Sequence, residues 1–168
     1  MLNDCYGNKL TTTTGLARDN YDVGLKAFLS ANYGAEEAFS LAVEADPNFS
    51  LAYAGLVRAH MSAGNLQAAA SALTTAKKML NGASEREKSH VHCFELNISG
   101  KSKEAREAVY KHVLEWPRDA LVAQMNTSVF GLIGFSGQLG REKDLLDFTE
   151  ILLPQNHHPH NRQRNQTY

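Results

Sequence analysis

Residues 64–82 read GNLQAAASALTTAKKMLNG. Leu66, Ala69, Ala70, Leu73, Ala76 and Leu80 recur there at intervals of three and four, the spacing that gathers side chains on one helical face. Gly64 before the run and Asn81-Gly82 after it supply turns, so the spacing predicts a helix over 66–80. Nothing in the stretch alternates with the period of two that a half-buried strand requires.

The same period continues on either side. Upstream, Glu36 to Asp46 places Phe39, Ala42 and Val43 together and stops at Asp46-Pro47, where proline disfavours helix in the residue before it. Ser50 is read as the N-cap of a helix over Leu51–Ala63 that ends at Gly64. Downstream, Ser84-Glu85-Arg86-Glu87 has the form of a capping box, and the helix it opens runs to Ser99-Gly100. Another covers Ser102–Trp116 and stops at Pro117. Asp119 is read as the cap of a longer apolar helix to about Gln138, and Glu142–Leu152 as the last helix. Strand signals are nearly absent throughout, so the expected class is all-α.

The helices pair across short turns, and the pairs repeat. Ala35, Phe39, Ala42 and Pro47 form one set, Ala69, Leu73 and Ala76 a second, and Ala105, Val109, His112 and Pro117 a third. Ala69 follows Ala35 by 34 residues and Ala105 follows Ala69 by 36. Gly64 and Gly100 each stand five residues before the alanine, at the turn inside a pair.

This pattern resembles the tetratricopeptide repeat, in which small residues let two helices approach closely and a proline ends the second helix. Val23-Gly24 and Leu56-Val57 stand where Leu-Gly is usual in that repeat. The resemblance implies a right-handed α-solenoid of three to four antiparallel helix pairs. Three stretches narrow the likeness: Asp4-Cys5-Tyr6-Gly7-Asn8-Lys9-Leu10-Thr11-Thr12, Arg86-Glu87-Lys88-Ser89-His90-Val91 and Trp116-Pro117-Arg118-Asp119-Ala120-Leu121. Together they resemble the tetratricopeptide repeat protein 38 family, over roughly residues 3–154. Members of that family continue for several hundred residues, whereas NHHPHNRQRNQTY after Gln155 has no helical period. A truncated isoform, a changed reading frame or a fragment is the expected explanation. The expected organisation is an N-terminal arm at 1–17, repeats at 18–153 and a disordered tail at 154–168.

Composition limits function. With 17 basic and 18 acidic residues among 168, the formal net charge is −1, which excludes bulk attraction to nucleic acid or an anionic membrane. Arg86, Lys88, Lys101, Lys103, Arg106 and Lys111 interleave with Glu85, Glu87, Glu104 and Glu107, the mixture of a solvated, salt-bridged helical surface. Cys5 and Cys93 make no disulfide framework and point to a reducing compartment. The first twenty residues hold no apolar core of signal-peptide length, and the expected location is cytoplasmic.

No catalytic or phosphate-binding motif emerges. Gly131, Gly134, Gly137 and Gly140 lack dinucleotide or P-loop spacing and are read as permitting close packing and then ending a helix. Within His90-Val91-His92-Cys93, residues two apart face different ways on a helix, and His90 with Cys93 makes too few ligands for zinc. Cys93 is read as a small buried residue, and His157, His158 and His160 as part of a His-rich disordered end. No metal and no cofactor is expected.

A binding groove is the remaining expectation. In a solenoid the first helix of each pair lines the concave face. Transferring the repeat's inward positions gives Tyr21, Leu25 and Phe28, then Arg58 and Met61, then His90, Phe94 and Asn97. Such a lining suits an amphipathic helix or an extended peptide with apolar anchors, and it lacks the paired Lys and Asn with which some repeats hold a chaperone's tail. The expected function is therefore a non-enzymatic module for a protein or peptide partner. The alternative is an enzyme or accessory domain with His90 as base and Arg58 as anion holder. Leu145, Phe148 and Leu152 in the last helix predict self-association, as a homodimer through an uncapped end.

Overall fold

A computed structural model describes residues 2–128 and 130–153. Among them the chain is predominantly helical: α1 Gly15–Leu29, α2 Ala35–Ala45, α3 Ser50–Ser62, α4 Leu66–Lys78, α5 Glu85–Ile98, α6 Ser102–Glu115, α7 Ala120–Thr127 and α8 Arg141–Leu152. Two short strands, β1 Leu2–Asn3 and β2 Lys9–Leu10, pair antiparallel before the first helix. The expected arm thus ends where α1 begins, at Gly15. No helix of the described residues is long and apolar enough to cross a membrane. The expected tail lies outside the described residues.

Helices that follow one another in the chain pack against each other. α1 packs on α2, α3 on α4 and α5 on α6, while α2–α3, α4–α5 and α6–α7 join each pair to the next. α1 also meets α3, and α3 meets α5. The alanines of the repeat sit in these seams: Ala69, Ala76 and Ala105 have no exposed surface, and Ala35 is half-buried against the core. A different contact departs from nearest-neighbour stacking, because α1 touches α7.

Phe39 shows why small residues matter. Its fully buried ring lies against Gly24 of α1 and Gly55 of α3, where a Cβ would approach to 2.6 and 2.4 Å respectively. Neither glycine can gain a methyl unless the ring moves. Gly24 falls in the Val23-Gly24 pair singled out in the sequence, but the second close approach is at Gly55, one residue before the expected Leu56-Val57. Tyr21 completes this part of the core, its ring centroid 5.7 Å from Phe39 and 5.1 Å from Phe49.

Helix ends follow local chemistry with three corrections. Ser84 and Glu87 form the expected capping box of α5. Ser50, by contrast, lies inside α3 and its hydroxyl donates to the Ala76 carbonyl at 3.0 Å, tying α3 to α4. Asp119 makes no capping bond, since its carboxylate is engaged elsewhere. The long helix expected to reach Gln138 ends at Thr127, because Ser128 turns extended (φ −66, ψ 143). The chain then folds back on α7, with Leu132 N donating to the Met125 carbonyl at 2.8 Å and Ile133 fully buried. Gly131 permits the return: a Cβ there would stand 2.5 Å from that same carbonyl oxygen. Leu66, expected on the buried stripe of α4, is 67% exposed.

Candidate functional site

Two groups of polar side chains occupy the interior, and they differ in how their charges are met. The first centres on Asp119, which the turn after α6 delivers into the core. One carboxylate oxygen, Oδ2, lies 2.5 Å from Arg86 Nη1, 2.9 Å from His90 Nδ1 and 3.2 Å from His112 Nε2. All four residues are buried, both histidines almost completely. His112 Nδ1 lies 2.9 Å from the Ser89 hydroxyl, so both ring nitrogens have polar partners. Burial would raise the Asp119 pKa, but the two histidines and Arg86 hold it well below the carboxylate range. Burial likewise depresses His90 below its usual value against the pull of Asp119.

The N-terminal arm is strapped to this cluster. Arg86 Nη2 donates to the Lys9 carbonyl at 2.9 Å, Asn8 Nδ2 to the Arg118 carbonyl at 3.0 Å, and Thr11 N to Glu87 Oε1 at 2.9 Å. The three stretches that carried the family resemblance therefore meet in one place. Arg86 and Glu87, expected on a solvated surface, are interior residues; the buried Asp119 carboxylate and the arm draw them in.

His90, His112 and Asp119 place potential ligand atoms within 4.8 Å of one another. These atoms are already committed to each other, and Arg86 sets a permanent cation on the only carboxylate oxygen they share. A metal ion there would face that cation and displace three hydrogen bonds. The arrangement fits a structural polar core. Cys93 is buried as expected, and burial pushes its thiol up to about 12.

The second group surrounds Arg58 on α3. Its guanidinium lies over the Phe28 ring at 5.3 Å and the Phe94 ring at 5.8 Å. Nη2 donates to Gln124 Oε1 of α7, while Nε is enclosed without a hydrogen-bond partner. No carboxylate among the described residues pairs with it, and burial alone pushes its pKa down to about 10. Beside it opens a cleft of about 300 Å3. Arg58, Asn97, Ser102, Gln124, Ser128 and Ser136 supply polar groups to the wall, and Met125, Leu132, Phe130 and Phe135 supply apolar ones. Phe130 and Phe135 are 80% and 72% exposed, with ring centroids 5.7 Å apart. A second hollow, about 210 Å3, shares Ser102, Leu132 and Ser136 and extends towards Lys103 and Gln138.

The expected groove residues are divided between core and cleft. Tyr21, Leu25, His90 and Phe94 are buried and present nothing to a ligand, because the neighbouring helices and the arm cover them. Phe28 and Met61 are half-buried against the core, and Met61 Sδ lies 4.0 Å from Asn97 Nδ2. Arg58 and Asn97 alone of that set border the cleft. His90 and Arg58 lean on the same Phe94 ring, His90 fully buried on one side and Arg58 bordering the cleft on the other. In α8, Phe148 is fully buried against Tyr110, with centroids 4.8 Å apart, and leaves the expected self-association surface. Leu145 and Leu152 pack partly on the core, so the exposed leucines of this end are Leu146 and Leu153.

Sequence reasoning missed the wall formed by Ser128 and residues 130–136 by extending α7 through it. One signal was available: α3, SLAYAGLVRAHMS, contains Arg58 and no Asp, Glu or Lys, so its single permanent charge has no partner on its own helix. Comparison with known proteins finds no matching family model, no matching curated protein and no matching solved structure.

Proposed function

We propose that the chain is a non-enzymatic binding module whose helical hairpins follow a right-handed tetratricopeptide-like superhelix, working in the cytoplasm on a protein or peptide partner. The tetratricopeptide repeat protein 38 family remains the proposed affiliation, supported by the convergence of its three signature stretches on Asp119. The partner seat is the cleft beside Arg58, in place of the broader groove expected from repeat positions.

One observation carries the reading. The cleft joins hydrogen-bonding groups of α3, α5, α6 and α7 to the exposed rings of Phe130 and Phe135, the combination by which recognition sites orient a ligand and anchor it. The second hollow lengthens the path through Ser102 and Leu132, as an extended segment requires. A nucleophile with an accessible base is found at neither polar group.

Selection from a random peptide library tests the proposal. The unaltered chain should enrich peptides sharing apolar anchors, and the Phe130→Ala, Phe135→Ala double variant should lose them while remaining helical by circular dichroism. Equal enrichment by both proteins would place the seat elsewhere. Absence of any enrichment would count against a peptide-binding role.

A further inference from the structure

We infer that the cleft is a receptor for a carboxylate carried on an apolar or aromatic body, with Arg58 as the group that holds the anion. The inference rests on the binding-module reading and names the chemistry of its ligand.

Removing a guanidinium from water without a counter-ion is costly, and folded chains normally meet such a group with a carboxylate. This molecule does so at Arg86 and not at Arg58. The two aromatic faces and the Gln124 amide compensate the charge only in part, and the enclosed Nε has no acceptor. Burial has weakened Arg58's hold on its proton, the mark of a cation lacking an anion. A carboxylate in the cleft would supply the missing charge, and the planar guanidinium is the side chain best suited to receive it.

Size and lining favour carboxylate over phosphate. Among the described residues Arg58 is the one basic side chain bordering this cleft, with no lysine or second arginine beside it to meet a dianion. Hydroxyl and amide groups at Ser102, Asn97 and Gln124 can complete hydrogen bonds to a single carboxylate. At the rim, Phe130 and Phe135 offer aromatic surface to the body that bears it. Nearby Arg106 is already engaged, its Nη1 standing 3.3 Å from Gln138 Oε1 and 3.7 Å from Asp144.

Calorimetric titration of the full chain distinguishes the sources of the carboxylate. The probes are phenylacetate, its neutral analogue phenylacetamide, inorganic phosphate, the blocked tripeptide Ac-Phe-Glu-Leu-amide and the corresponding Gln peptide. The expected result is binding of the Glu peptide at least tenfold tighter than the Gln peptide, lost in Arg58→Met and weakened in Phe130→Ala. Phenylacetate as strong as the peptide upholds the carboxylate and overturns the peptide reading, identifying a small organic acid as ligand. Equal binding of Glu and Gln peptides upholds the peptide reading and overturns the carboxylate. Phosphate binding tighter than either carboxylate, or no binding of any probe by the unaltered chain, overturns the inference. Arg58→Lys keeps the charge without the fork, and partial retention of affinity there separates charge recognition from bidentate geometry.

Discussion

Arg86 is buried and Arg58 half-buried in one small helical body, and the surroundings treat them oppositely. Burial would release the Arg86 proton more easily, but Asp119 at 2.5 Å raises the pKa above its ordinary value. Arg58 meets no carboxylate among the described residues, and burial is left to push it down to about 10. The first arginine locks three distant stretches of chain together. The second borders a cleft with a donor still unmet. A buried charge that is paired helps hold a fold; one without a carboxylate beside open space marks a candidate site.

The comparison breaks most visibly at Asp119. Replacing it with alanine leaves Arg86 buried without its anion and both histidines without their acceptor, and about 3–5 kcal/mol of unfolding free energy should be lost. Chemical denaturation monitored by circular dichroism measures that loss; a change under 1 kcal/mol, roughly the worth of an exposed ion pair, would mean the cluster is solvated. Gly131→Ala acts on the other side. With the Met125 carbonyl only 2.5 Å from the added carbon, the return loop must lift from α7, at about 1–3 kcal/mol. Carboxylate affinity should fall with it, whereas the Asp119 cluster should keep its acid sensitivity.

Ser84→Ala removes one half of the α5 capping box and should cost about 1 kcal/mol. Because Glu87 also holds Thr11, the arm should become more accessible to proteolysis than the loop around Phe130. A graded effect comes from pH. Burial depresses His90 below its ordinary 6.5, so the unfolded chain takes up a proton more readily than the folded one. Stability is therefore full above that value and declines as pH falls through it. Asp119, held well below 3.8, adds a second loss in more acid solution. Denaturation midpoints across this range should decline in the unaltered chain, and the acid step should shrink in Asp119→Ala.

Much of the fold is legible in the sequence because its signals are local. Apolar spacing, Asp46-Pro47, Gly64, Ser84 with Glu87, and Pro117 act within a turn or two of helix, and each marks an element the structure contains. The site is less legible because tertiary geometry assembles it. Asp119 reads as a helix cap, since Asp before an apolar run has that local meaning, and only Arg86, His90 and His112 reveal its other use. The run from Ala120 to Gln138 reads as one helix because its residues are apolar throughout, yet the tight return at Gly131 buries Ile133 and raises a wall of the cleft. Arg58 is visible as a lone cation on an apolar helix; what the sequence hides is that no carboxylate among the described residues reaches it in space.

The most direct measurement is a side-by-side denaturation of Arg86→Met and Arg58→Met without ligand. Methionine fills much of the arginine stem's volume in each, so the comparison isolates the charge. Arg86→Met should lose several kcal/mol, of the order of 3–5, by stranding Asp119. Arg58→Met should be as stable as the unaltered chain or more so, because a half-buried cation without a carboxylate partner has been removed. Equal, large losses in both would contradict the account, since Arg58 would then be another structural pillar, not a cation held in reserve for a ligand.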